Sequence, residues 1–218
     1  MSSLPTAEAV VVVVAHPDDE SFGLGALIDA FVRGGAQVAV VCFTHGEAST
    51  LSPTDLAAVR PRELAEAAAS LGVTHVELCD HPDGELDRVP LDKLAEVVEG
   101  RVRVDDPDLL LVFDEGGITG HPDHDQATRA ALSVADDAAL DVLAWAIPEH
   151  VAATLRDELG AGFVGRRDDE IDAAVTVSRA RQHEAIAAHR SQSAGNPALW
   201  RRLELLGDRE YVRWLRRR

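Results

Sequence analysis

Cysteine is scarce: only Cys42 and Cys79 occur among 218 residues, each inside an apolar run that reads as a strand. That excludes a small secreted scaffold stapled by disulfides and fits a reducing cytoplasm. Basic residues are also few, 21 Lys plus Arg against 38 Asp plus Glu, for a formal charge of -17. Such a field repels phosphate backbones and argues against a nucleic-acid partner. Seven of those basic residues fall in 201–218 beside three acids, a segment expected to form a solvated helix face rather than a binding arm. No apolar run approaches the ~20 residues of a membrane span. The run at 9–15 has no basic residues before it and leads straight into acids, unlike a signal core, so a cytoplasmic chain is expected. A dinucleotide fingerprint is missing too. Gly23-Leu24-Gly25 comes too long after the first strand, lacks a third glycine and follows acids that would repel a pyrophosphate. Linker-like stretches and internal repeats are absent, which leaves 1–218 as a single expected domain.

Hydrophobic residues make up 46% and charged residues 27%, the mix of a globular protein rather than a disordered one. Short β-branched runs at 10–15, 37–43, 75–79, 109–113, 142–147 and 173–177 read as strands. Helical periodicity fills 24–33, 54–71, 91–102 and 124–135, with Gly34-Gly35 and Gly72 as stop signals and Pro90 at a helix start. A looser region follows, with a helical C-terminal segment expected over about 179–218, broken near Gly195-Asn196-Pro197. The alternation predicts an α/β chain: a three-layer Rossmann-like fold with a mostly parallel sheet. In such a fold the first and fourth strands are neighbours where strand order reverses, and ligands bind beyond their carboxyl ends.

Two motifs fall at that crevice. Ala15-His16-Pro17-Asp18-Asp19-Glu20 follows the first strand and Gly120-His121-Pro122-Asp123-His124 follows the fourth. So many imidazoles and carboxylates in one place need a balancing cation or a large desolvation cost. His16, Asp19 and His124 can make a three-ligand set that leaves a position open for water, as in hydrolytic zinc sites, and ferrous iron can also occupy two histidines and a carboxylate. Asp18, pointing differently, could act as a base. The competing reading makes Asp18 and Asp19 helix caps and the histidines loop residues.

On these motifs the chain resembles the PIG-L/LmbE-like family of zinc-dependent N-acetylglucosaminyl deacetylases. Softer features agree: Thr44-His45-Gly46-Glu47, Arg60 before Glu63, Pro82-Asp83-Gly84 and His189-Arg190-Ser191-Gln192. The resemblance implies zinc on His16, Asp19 and His124, Asp18 as general base, His121 assisting the transition state, and Arg60 and Asp83 as substrate contacts. It implies a small amino-sugar substrate from whose nitrogen an acetyl group is removed. It leaves open the aglycone, a homo-oligomer, and whether Asp18 or His121 protonates the departing amine. A thiol-conjugate amidase of the same chemistry and a non-catalytic metal- and sugar-binding module are the alternatives. Glu47 is expected to pair with Arg60 or to shape the pocket. His45, His75, His150 and His183 read as loop or structural residues, and Trp145, Trp200 and Trp214 as packing residues.

Overall fold

Val10 to Val14 are each at most 2% exposed, because the strand they form is covered on both faces. The computed structural model describes residues 3–51, 55–160 and 162–218; the expected helix start at Thr54 lies outside them. The strands are β1 (Ala9–Val14), β2 (Gln37–Thr44), β3 (His75–His81), β4 (Leu109–Phe113), β5 (Asp141–Ala146), β6 (Ala173–Thr176) and β7 (Arg209–Arg216). They form one sheet in the order β3-β2-β1-β4-β5-β7-β6. The pairings among β1 to β5 are parallel, whereas β7 runs antiparallel to both β5 and β6.

The helices are α1 (Asp19–Phe22), α2 (Gly25–Arg33), α3 (Leu56–Leu71), α4 (Leu91–Asp105), α5 (Gly117–Gly120), α6 (Pro122–Ala138), α7 (Glu149–Leu159), α8 (Ala180–Ala188), α9 (Arg190–Ser193) and α10 (Pro197–Leu206). Side chains alternate across a strand, so β1 feeds two cores. Val10, Val12 and Val14 pack with Leu27, Ile28 and Phe31 of α2. Val11 and Val13 pack with Leu94 and Val98 of α4 and with Ala127, Ala130 and Ala131 of α6. The expected three layers follow from that alternation. No helix among the described residues is long and apolar enough to cross a membrane. Cys42 and Cys79 are both unpaired strand residues.

The C-terminus departs from expectation. Helical structure stops at Leu206, Gly207 turns the chain at φ 58° and ψ -125°, and Arg209–Arg216 enters the sheet as β7. Its arginines are not a solvated helix face: Arg213 bonds Asp114 at 2.9 Å, and Arg216 pairs with Asp136. Pairing with two strands supplies what local propensity does not.

Candidate active site

Beyond β1 the chain turns sharply into α1, and Asp18 sits in that turn at φ 121°, a backbone that costs a non-glycine residue about 1–3 kcal/mol. Its neighbours hold it there. The Asp18 N–H donates to Glu20 Oε2 at 2.9 Å, and Arg60 reaches from α3 to the Pro17 carbonyl and to Asp18 Oδ2 at 2.9 Å. Arg60 also donates to the Gly46 carbonyl at 2.5 Å. A side chain at Gly46 would collide with that guanidinium. Asp18 makes no side-chain cap bond to α1, so the capping reading of this acid fails.

Three side chains converge from the two motifs. His16 Nδ1 lies 3.1 Å from His124 Nε2 and 3.5 Å from Asp19 Oδ2, while Asp19 Oδ1 lies 3.1 Å from His124 Nε2. Both ring tautomers are set from behind. His16 Nε2 faces Asp83 Oδ1 at 2.9 Å and Asp123 Oδ2 at 3.3 Å, and His124 Nδ1 faces the Gly117 carbonyl at 3.0 Å. Each outer nitrogen therefore carries a proton, and the two inner nitrogens meet head-on beside a carboxylate. Only a cation or a shared proton relieves that contact. Ligands about 2.0–2.2 Å from a tetrahedral centre stand about 3.3–3.6 Å apart, close to the separations seen. The donor set fits a zinc or ferrous ion.

Burial opposes charge on His16, but hydrogen bonds to Asp123, Asp19 and Asp83 outweigh it and raise its pKa well above the usual value. Burial likewise opposes charge on Asp19, yet His124 and His16 hold its carboxyl well below the usual range. Asp18 goes the other way: burial pushes it up to about 6 against the pull of Arg60. His121 caps α6, accepting from the Asp123 N–H at its Nδ1, 3.2 Å away. Burial and the neighbouring His16 and His124 lower its pKa. Near neutrality it is an uncharged ring with its proton on Nε2. Its ring stacks on His124 at 5.0 Å.

These groups line a pocket of ≈ 410 Å³ at the strand-order reversal, together with Phe113, Trp145, Leu199 and Gln192. Trp145 is thus a pocket wall as well as a core residue, its ring 5.2 Å from Phe113. A side chain at Gly23 would strike both rings, and one at Gly25 would meet Gln182. Those glycines serve close packing.

Arg60 and Asp83 also line the pocket; both Asp83 oxygens and both terminal nitrogens of Arg60 are engaged by protein, and Arg60 Nε is buried without a partner among the described residues. Arg60 is 3% exposed and holds Asp18. Asp83 orients His16 and accepts from the Ala48 N–H at 2.7 Å. Glu47 does not bond Arg60; it accepts from the Asp83 N–H at 3.1 Å. His45 is tied to Asp80 at 2.8 Å, outside the pocket lining.

Sequence reasoning assigned no role to Asp123, Glu20 or His189. Asp123 is fully buried and accepts from the Gly84 and Leu86 N–H groups as well as facing His16. Its place inside the second motif was the available signal. Glu20 and His189 are both fully buried and bonded at 2.7 Å. Burial opposes charge on His189, but Glu20 beside it prevails and raises its pKa above 6.5. A raised histidine stabilises fully below its unfolded pKa and loses that contribution as pH rises through the native value. His189→Gln is expected to cost of order 3 kcal/mol near pH 6, and the deficit should shrink on alkalisation. Urea midpoints measured for both proteins from about pH 6 to 9 test this; a constant deficit would mean that His189 is neutral throughout.

Residues 11–135 match the family described as PIG-L: GlcNAc-PI de-N-acetylase. A 1D-myo-inositol 2-acetamido-2-deoxy-alpha-D-glucopyranoside deacetylase from Catenulispora acidiphila is 33% identical over 178 residues, covering 69% of this chain and 54% of that protein. A Streptomyces avermitilis protein of the same name is covered over 56% of its length, so the chain spans about half of these relatives. A probable N-acetyl-alpha-D-glucosaminyl L-malate deacetylase from Bacillus anthracis is 29% identical, with 95% of this chain and 92% of that protein aligned. Among solved structures, an N,N'-diacetylchitobiose deacetylase from Pyrococcus horikoshii superposes with TM-score 0.68 at 24% identity, over 96% of this chain and 84% of that one. The zinc-inhibited form of teicoplanin deacetylase Orf2 gives 0.68 at 19%, over 94% and 97%. A 4-carboxy-2-hydroxymuconate hydratase from Pseudomonas putida gives 0.69 at 19%, over 97% of each chain. These likenesses show the fold, which hosts more than one reaction. The matched segment is more than half of the chain and carries both histidine motifs on the strands that bring them together, and the chain belongs to the PIG-L family.

Proposed function

We propose that this chain is a single-domain, metal-dependent hydrolase of the cytoplasm that removes the acetyl group from an N-acetylglucosamine-type conjugate. The observation that carries this reading is the convergence of His16 Nδ1, Asp19 and His124 Nε2 within 3.1–3.5 Å beside Asp18. The deacetylase names of the sequence relatives favour acetyl over the larger acyl group of a thiol-conjugate amidase. A base placed next to the donor set favours an enzyme over a binding module. His16, Asp19 and His124 would hold zinc, with ferrous iron as the other ion suited to the set.

A bound zinc ion supplies Lewis acidity, polarising the amide carbonyl and acidifying water. Asp18 is then the proton acceptor for the attacking water, and its carboxyl, lifted to about 6 by burial, ionises close to working pH, where a base is most effective. Arg60 fixes the carboxylate through Oδ2, which leaves Oδ1 for the water. His121, its Nδ1 occupied by the Asp123 N–H, offers Nε2–H to the oxyanion that develops on the carbonyl oxygen. The amine leaves with a proton returned from Asp18, now the only nearby acid that gained one. Phe113 and Trp145 supply an apolar wall that excludes water from the reacting side.

Metal-stripped protein is expected to be inactive on N-acetylglucosamine glycosides, and zinc or ferrous iron to restore stoichiometric release of acetate and free amine. Chelator-resistant turnover, or stoichiometric metal binding without cleavage of any N-acetylglucosamine glycoside, would overturn the reading.

A further inference from the structure

Arg202 is used by nothing described so far. It stands on α10 in the pocket wall, 8% exposed, with its guanidinium over the Trp145 ring at 4.9 Å. Among the described residues it makes one hydrogen bond, from Nη2 to the Phe22 carbonyl at 2.5 Å. Its Nε is buried without a partner, and no carboxylate of the described residues lies within ion-pair distance. Glu210 does not fill that place, because it is bonded to Trp145 Nε1 at 2.6 Å and to Arg179 at 2.5 Å. Burial lowers the Arg202 pKa only to about 10, so the group is cationic at neutral pH. Glu210 attracts it without bonding it, yet a buried guanidinium that no carboxylate of the described residues bonds is costly in a protein interior.

The aromatic wall gives the direction. His124 touches Phe113 at 4.9 Å between ring centres, Phe113 touches Trp145 at 5.2 Å, and Arg202 lies over Trp145. A ligand whose amide meets the His16–Asp19–His124 donors and whose body crosses this apolar wall arrives at a guanidinium that no carboxylate of the described residues bonds. We propose that Arg202 is an anion subsite that takes a carboxylate or phosphate carried on the substrate's aglycone. The assignment of that anion to the aglycone rests on the deacetylase reading, since the acetyl group and the N-acetylglucosamine ring are both uncharged. The planar fork of Arg suits bidentate capture of either oxyanion.

The test compares N-acetylglucosamine glycosides of one linkage whose aglycone is neutral, carboxylated or phosphorylated. A charge-assisted bond in such a site predicts that the metal-loaded protein favours one anionic glycoside by at least about tenfold in kcat/KM; which of the two is preferred identifies the source of the anion. Arg202→Gln should bring the anionic-to-neutral ratio close to one, mainly through KM, and Arg202→Lys should keep part of the preference. Calorimetric binding of the corresponding glucosamine glycosides gives a readout independent of turnover. Wild-type protein should hold the anionic glucosamine glycoside about tenfold tighter than the neutral one, and Arg202→Gln should not. Equal binding of both by folded wild-type protein, or a preference that survives Arg202→Gln, overturns the subsite. An anion preference in binding without cleavage of any acetylated glycoside would instead overturn the deacetylase reading alone.

Discussion

Asp18→Asn is expected to lower kcat by about 10²–10⁴-fold while the protein retains its full complement of metal. Asparagine has nearly the same shape and keeps an oxygen for the Arg60 Nη2 that sits 2.9 Å from Asp18 Oδ2. The turn at φ 121° therefore has no new strain to relieve. What disappears is the group that accepts the proton of water and returns it to the amine. KM should change little, because the loss falls on a contact made in the transition state. Metal content measured beside steady-state kinetics separates the two effects. Wild-type turnover in Asp18→Asn would remove the general-base assignment, and loss of metal would place Asp18 among the ligands.

His124→Ala is expected to abolish metal binding and, with it, turnover. The ring supplies one of three donors, and the remaining pair, His16 Nδ1 and Asp19 Oδ2 at 3.5 Å, is too few for a closed protein set. Thermal denaturation reads this without a substrate. At about a hundredfold excess over Kd, a ligand that binds only the native state stabilises it by about 2.7 kcal/mol. Wild-type protein should show that gain with added zinc, and His124→Ala none. Asp83→Asn should fall between them, losing about 10–100-fold in metal affinity, because Asp83 touches His16 only at its outer nitrogen, 2.9 Å away. A zinc-induced gain of wild-type size in His124→Ala would exclude the ligand set.

Much of this architecture is legible in the chain. The continuous apolar runs at 10–14 and 109–113 read as strands covered on both faces, and their place at positions one and four of an alternating pattern puts them side by side. The His-Pro-Asp motifs fall directly after those two runs, so the meeting of His16, Asp19 and His124 follows from topology without coordinates. Short-range signals also stand: Gly72, φ 79°, ends α3, and Pro90 precedes α4.

Other features depend on contacts between residues far apart in sequence. Arg60 and Asp83 face the same pocket as the ligand set, but their contacts to Asp18 and His16, each at 2.9 Å, join residues that no local pattern connects. Glu20 and His189 are 169 positions apart, a separation across which no local pattern carries information. The arginines of 209–216 read as a solvated helix from composition alone. They lie in a strand because β5 and β6 leave a gap in the sheet that only this segment fills, and their charges meet Asp114 and Asp136 there. Arg202 shows the same division: the sequence places an arginine on a C-terminal helix, and only packing sets it over Trp145 with no carboxylate of the described residues bonded to it. The sequence by itself determined the first six strands, their order near the crevice and the chemistry of the two motifs, since periodicity and local turns are properties of neighbours along the chain. The tertiary structure decided which charges are paired, since pairing depends on burial and on partners that only folding brings within reach.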